Sequence, residues 1–427
     1  SETKSGLYCP SPTHRAGGTA CVSSFTVIWA ALIFSSSIGN LTMRYPGATY
    51  RSSATKYLTS ATKYRSSANN IVHGLVLVIT LAVVSACDST PPEAKWVAAV
   101  SKRIGSDYQA LLKESETLAS STATFCEQPV DLSPARTQWL RTMDAWQQVQ
   151  WVRFGPILEN NDDWKIQFWP DKKNIVARKV GQLLEREQAI DAATLDKASV
   201  VVQGLTALEL LLFDDNFSQR YGENTPQAEK QCQLLRVTSE YLVTTVNRIS
   251  EGWQDDDFQS RWLATATTGS DSTQVDAESQ IVAAMLSQME KVKLDKLGGP
   301  LGYKNRNRQP NGYFAESWRS HSSLANIQAN LLALARVIDA QDGYDLRRLL
   351  AHHGAAPLAD QIQAQVNKCL SLLSDIDKPL SEAVMDSAYK PRLDALHQAV
   401  GELNSLLKSG LAPALQIKLG FNSNDGD

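Results

Sequence analysis

The sequence predicts an all-α protein of long antiparallel helices, arranged as two bundles. Three observations carry that expectation. From about residue 92 onward, apolar residues recur at three- and four-residue spacing, the period of a helix that buries one face. No alternating apolar–polar pattern of the kind that marks a half-buried strand persists in that region. The chain also carries 10 tryptophans, large anchors suited to the packing of long helices.

The elements follow in order. The first helix begins after Pro91 and Pro92 and runs through "EAKWVAAVSKRIGSDYQALLKESETLASS". The second opens at Ser133 as N-cap, with Pro134 at the first helical position, where its missing N–H costs nothing. Trp139, Met143, Trp146 and Val149 keep the helical spacing, and Gly155 with Pro156 ends it. A polar loop, "ENNDDWKIQFWPDKKN", covers 159–174. Further helices are predicted over roughly 174–187, 191–214, 227–254 and 273–296. The strongest break is "LGGPLGYKNRNRQPNGYF" (297–314), rich in Gly, Pro and Asn. Helices resume at about 321–340, 344–353, 357–375, 379–387 and 391–407. The two bundles are expected over 92–222 and 227–427, and neither half shows a readable repeat.

The first ninety residues read differently. "LVLVITLAVV" (75–84) is apolar but shorter than the ~20 residues that a spanning helix needs. It ends in Val84, Ser85, Ala86 and Cys87, and Lys56, Lys63 and Arg65 precede it. A short apolar core, small residues and a cysteine resemble a bacterial lipoprotein signal. Residues 71–87 are therefore expected to be that signal, with cleavage before Cys87 and lipidation of its thiol. Residues 1–70 are expected to be a non-native or disordered leader. They hold the near-repeat "ATYRSSATKYLTSATKYRSSA" (48–68), which lacks the apolar periodicity to bury anything.

Composition excludes some functions. With 427 residues, 43% hydrophobic, 20% charged and a net charge of −3, the chain is globular and offers no electrostatic case for nucleic acid. Beyond Cys87 three cysteines remain, Cys126, Cys232 and Cys369. An exported protein is permitted a disulfide, and Cys126 with Cys232 is the expected pair because each lies near a helix end. There is no HExxH, GxSxG, P-loop or GxGxxG. The adjacent His352 and His353 point about 100° apart on a helix, so they cannot chelate from one face and read as a solvated helix end.

One carboxylate stands out. "GLTALELLLF" (204–213) reads as a buried helix, and Glu209 interrupts it. Burying an ionised carboxylate costs several kcal/mol unless cations or donors meet it. Thr206 lies three residues earlier on the same face, and Gly204 permits close approach by another segment or a ligand. Glu209 is thus either a helix-locking ion-pair partner or part of a site.

The segments "AWQQVQWVRFGPI" (145–157), "FWPDKKNIVARKV" (168–180), "VVQGLTALELLLFDD" (201–215), "KLGGPLG" (296–302), "ESWRSHSSLANIQANLLAL" (316–334) and "LGFNSNDGD" (419–427) together resemble the imelysin-like family over nearly all of 95–427. That family is filed among metallopeptidases and associated with bacterial iron uptake. The resemblance implies two helical bundles related by duplication, with a site at their interface marked by G-x-H-x-x-E. Gly204 and Glu209 match this motif, but its histidine position is Thr206, as in a branch that lacks the histidine. A threonine hydroxyl is a poor ligand for transition metals, which removes most of the case for metal hydrolysis.

The expected ligand-binding set is Gly204, Thr206 and Glu209, with Arg153 or Arg319 as the neutralising cation. Asp171, Glu316, Ser317 and the tail residue Asp425 complete it. Glu209 is also the candidate metal ligand, for iron or another divalent metal. The expected function is a non-catalytic, exported and lipid-anchored protein of the periplasm, at the inner or outer membrane, that binds a small ligand or metal in an inter-domain cleft for iron uptake. A metallopeptidase is the rival. A scaffold for an iron-transport partner protein is a third reading.

Overall fold

The computed structural model describes residues 90–171, 173–267, 276–339 and 343–417, all within one compact unit spanning 88–427. The expectations for the leader, the signal segment, Cys87 and the tail with Asp425 fall outside these residues. Among the described residues there is no strand, and the fold is all-α.

The principal helices are α1 (Pro92–Glu127), α2 (Ser133–Val149), α3 (Ile175–Leu184), α4 (Gly204–Phe213) and α5 (Pro226–Gln254). They continue with α6 (Asp256–Ala264), α7 (Ala277–Lys291), α8 (Ser323–Ile338) and α9 (Leu346–His352). The last two are α10 (Ala356–Ser374) and α11 (Lys390–Leu406). The longest pair is α1 with α5. Trp96, Val97, Val100, Ile104, Tyr108, Leu111 and Leu118 form the buried stripe of α1, and α5 runs antiparallel along it. At one end Cys126 and Cys232 are joined in a disulfide, and Thr122 shares a 2.8 Å hydroxyl hydrogen bond with Ser239. At the other end Tyr108 stacks on Trp253, which also meets Phe154, Phe258 and Trp262 within 5.8 Å. Cys369 is free and buried.

α2 packs on α1, where Gln138 and Thr142 both donate to the Glu114 carbonyl at 3.0 Å. The Trp139 indole donates to the Leu205 carbonyl at 3.0 Å and so pins α4. α8 packs on the other side of α2, α10 on α8, and α11 on both α7 and α10. No helix among the described residues is long and apolar enough to cross a membrane.

Three predicted elements differ. The helix expected over 191–214 is broken into a turn at Ala192–Asp196, a 3-10 turn at Val200–Val202, and α4. The break lies at extended Gln203 and at Gly204, whose φ is +65°. A Cβ at 204 would overlap the carbonyl oxygens of Lys165 and Ile166, so glycine alone lets α4 begin against that backbone. The polar loop holds a short helix, Asp162–Ile166, whose buried Asp162 receives two Arg248 hydrogen bonds at 2.6 and 2.9 Å. Beyond α7 the chain widens into a π-turn, Val292–Leu297, which turns Lys296 into the interior.

Candidate functional site

A cavity of about 570 Å³ is walled by α4, by the loop before α3 and by the loop before α8. Glu209 and Thr206 line it from α4, one helical turn apart. Asp171 lines it from the loop beside the cis Trp169–Pro170 peptide. Ser317, Trp318 and Arg319 close the opposite wall.

Glu209 is 3% exposed. Its Oε1 accepts from the Ser320 amide and from the Ser320 hydroxyl, each at 2.9 Å. Burial pushes its carboxyl above the ordinary carboxylate range, and the Ser320 bonds with the nearby Arg319 charge only partly offset that. The arginine expected to orient Glu209 does something else. Arg319 donates to Asp214 at 2.9 Å and to Asn174 at 3.0 Å, and its guanidinium lies 4.3 Å above the Trp318 ring. The Glu209 carboxylate thus anchors the 316–322 loop, in which Ser317 (φ +52°) and His321 (φ +58°) hold left-handed conformations that non-glycine residues rarely adopt.

The other expected residues separate into three groups. Asp171 lines the cavity but spends its oxygens on the start of α3, accepting from the amides of Ile175 at 2.7 Å and Val176 at 3.0 Å. Arg153 does not reach Glu209; it faces Asp163 at 3.6 Å on the wall of a neighbouring cavity. Glu316 points away from the cavity into a buried polar network. It pairs with Lys296 at 2.8 Å and accepts from Gln147 at 3.3 Å, Gln167 at 3.0 Å and Asn326 at 3.0 Å. Burial is the largest influence on the Glu316 carboxyl and would raise it, but the Lys296 ammonium, the Lys291 charge and the Asn326 hydrogen bond together hold the group below the ordinary range. Burial pushes Lys296 down to about 8 against the pull of Glu316.

Sequence reasoning missed Lys296, Gln147, Gln167, Ser320 and Asp214. Gln167 joins the network to the cavity wall. It accepts from Trp146 at 2.7 Å and Gln150 at 2.8 Å while donating to Glu316. Nothing in their local pattern marks these residues; a lysine in "KVKLDKLGG" reads as solvated.

A resident metal does not fit this donor set. Among the described residues no three His, Cys, Asp or Glu side chains gather into a possible cage, and no histidine or cysteine lines the cavity. His353 is engaged with Glu93 at 2.9 Å. A cation at Glu209 would have to bring most of its own ligands.

Comparison with known proteins adds a family. The sequence model of the family described as imelysin matches residues 104–407. Iron-regulated protein A of Synechococcus elongatus is 21% identical over 322 residues, which cover 72% of this chain and 83% of that protein. The crystal structure of an imelysin-like protein from Psychrobacter arcticum 273-4 superposes with a TM-score of 0.65 at 24% identity, covering 77% of this chain and 97% of that one. A Parabacteroides distasonis structure, named for an iron-regulated protein A precursor, gives 0.56 at 18% identity, covering 76% and 97%.

Proposed function

The chain belongs to the imelysin family, and from that premise we propose that it is an exported binding protein of bacterial iron handling, non-catalytic and lipid-anchored through Cys87. Its guest sits in the cavity at Glu209. It is a small cation that keeps most of its own ligands, such as hydrated ferrous iron, because the protein supplies one desolvated carboxylate and not a cage. Support for iron comes from the family and from relatives named as iron-regulated. The observation that carries the binding reading is the buried Glu209 carboxylate on a cavity wall, met by hydrogen bonds from Ser320 and, among the described residues, not by a directly paired cation. A cation arriving there would relieve a charge that burial already disfavours. The Thr206 hydroxyl, one turn away, adds a neutral oxygen.

Anaerobic titration of ferrous iron should show binding that Glu209→Gln weakens by about tenfold or more. The glutamine keeps an oxygen for Ser320, so its stability should stay within about 1 kcal/mol of wild type. Equal binding by the two proteins would make the carboxylate purely structural and sink the reading. Chelator-sensitive proteolysis by the purified protein would instead favour a metallopeptidase. Intact mass of the exported protein tests the anchor, which is lost if residues before Cys87 are recovered.

A further inference from the structure

We propose that a second cavity, of about 560 Å³, binds a small aromatic carboxylate, its anionic end against Lys291 and its ring against Trp164 and the apolar side chains at the rim. This site is independent of the cation reading at Glu209. The two cavities share Gln167, Trp169, Pro170, Asp295 and Lys304 as a common wall.

Lys291 is the first observation. It lines this cavity from the end of α7, with its ammonium 5.0 Å from the centre of the Trp169 ring. Among the described residues no carboxylate lies within ion-pair distance of it; Glu316 and Asp295 act on it only from further away. Burial accordingly pushes the ammonium below the ordinary lysine range. The cations on either side are already answered, Arg153 by Asp163 at 3.6 Å and Lys304 by Asp295 at 2.6 Å. Glu290 also lines the cavity, beside Lys291 in sequence but not within ion-pair distance of it. A desolvated cation over an aromatic face, lacking its own counter-ion, is a place where an incoming anion gains most.

The rim is the second observation. Leu158, Trp164 and Leu294 are 58%, 40% and 38% exposed, large apolar side chains left in water around one opening. Trp146 and Trp169 continue the apolar surface inward. A plain inorganic anion would satisfy Lys291 and leave this surface wet. A carboxylate carried on a ring satisfies both, with the ring stacking where flat side chains already stand.

The test titrates the full chain with benzoate, with benzyl alcohol as the neutral analogue and inorganic phosphate as the anion without a ring. Benzoate should bind measurably, and each comparison compound at least about tenfold more weakly. Lys291→Met should weaken benzoate about tenfold or more, while Lys291→Arg stays within roughly threefold of wild type. Thermal melting of both variants shows that they fold. Glu209→Gln should leave benzoate binding unchanged, which separates this site from the cation site. The proposal is overturned by absent benzoate binding, by phosphate or benzyl alcohol binding as tightly, by an unaffected Lys291→Met, or by loss of benzoate in Glu209→Gln.

Discussion

Lys296→Met is expected to cost about 3–5 kcal/mol of folding stability, the range for removing one partner of a buried ion pair. Both Lys296 and Glu316 are 1% exposed. Without the ammonium the Glu316 carboxylate keeps only amide donors from Gln147, Gln167 and Asn326, while Gln147 and Asn330 each lose the lysine as a donor. The charge, not the contact area, dominates, since methionine fills much of the same volume. Lys296→Met combined with Glu316→Gln should therefore recover a large share of the loss, because no charge is left stranded. Urea denaturation of the two variants measures this, and equal stabilities would show that packing and not charge governs the site. The pair also predicts acid sensitivity. A carboxyl held below the ordinary range in the folded state binds protons less readily there than in the unfolded chain. Its stabilisation is present above about pH 4.3, the unfolded glutamate value, and is lost as pH falls through the lower folded value.

Removing the disulfide is expected to be comparably severe. Cys126 and Cys232 are 106 residues apart, and the chain-entropy relation assigns a loop of that length about 4–5 kcal/mol. Cys126→Ser with Cys232→Ser should lower the urea midpoint to match, and wild type under reductant should fall to the same value. A double variant as stable as the oxidised wild type would mean that the bridge constrains the unfolded chain little and that packing alone holds the helix pair.

The helices were largely legible because their information is local. The predicted 227–254, 357–375 and 391–407 lie within one residue of the observed α5, α10 and α11 at each end. A proline near the start of each and an apolar stripe along one face suffice. The break before α4 was not legible, since it depends on the backbone of Lys165 and Ile166 lying against Gly204. Glu209 announced itself by being the one charge in an apolar helix. What meets it could not be read, because Ser320 lies 111 residues away and serine is common in loops. Lys296 was hidden for a similar reason. A lysine next to glycines carries no sign that a π-turn will rotate it inward beside a glutamate twenty positions on. Arg153 shows the converse: expected as a cation for Glu209, it faces Asp163 instead.

The α1–α5 pair is fastened differently at its two ends, by a covalent bridge near 126 and 232 and by stacked rings around Trp253. On α1 the two fasteners, at Cys126 and Tyr108, lie roughly 27 Å apart, too far for one to substitute for the other. Reductant releases only one of them. Opening should then run as a zipper from the cysteine end, with backbone amides near Phe125 and Leu234 exchanging with deuterium faster while those near Tyr108 and Ile249 keep their protection.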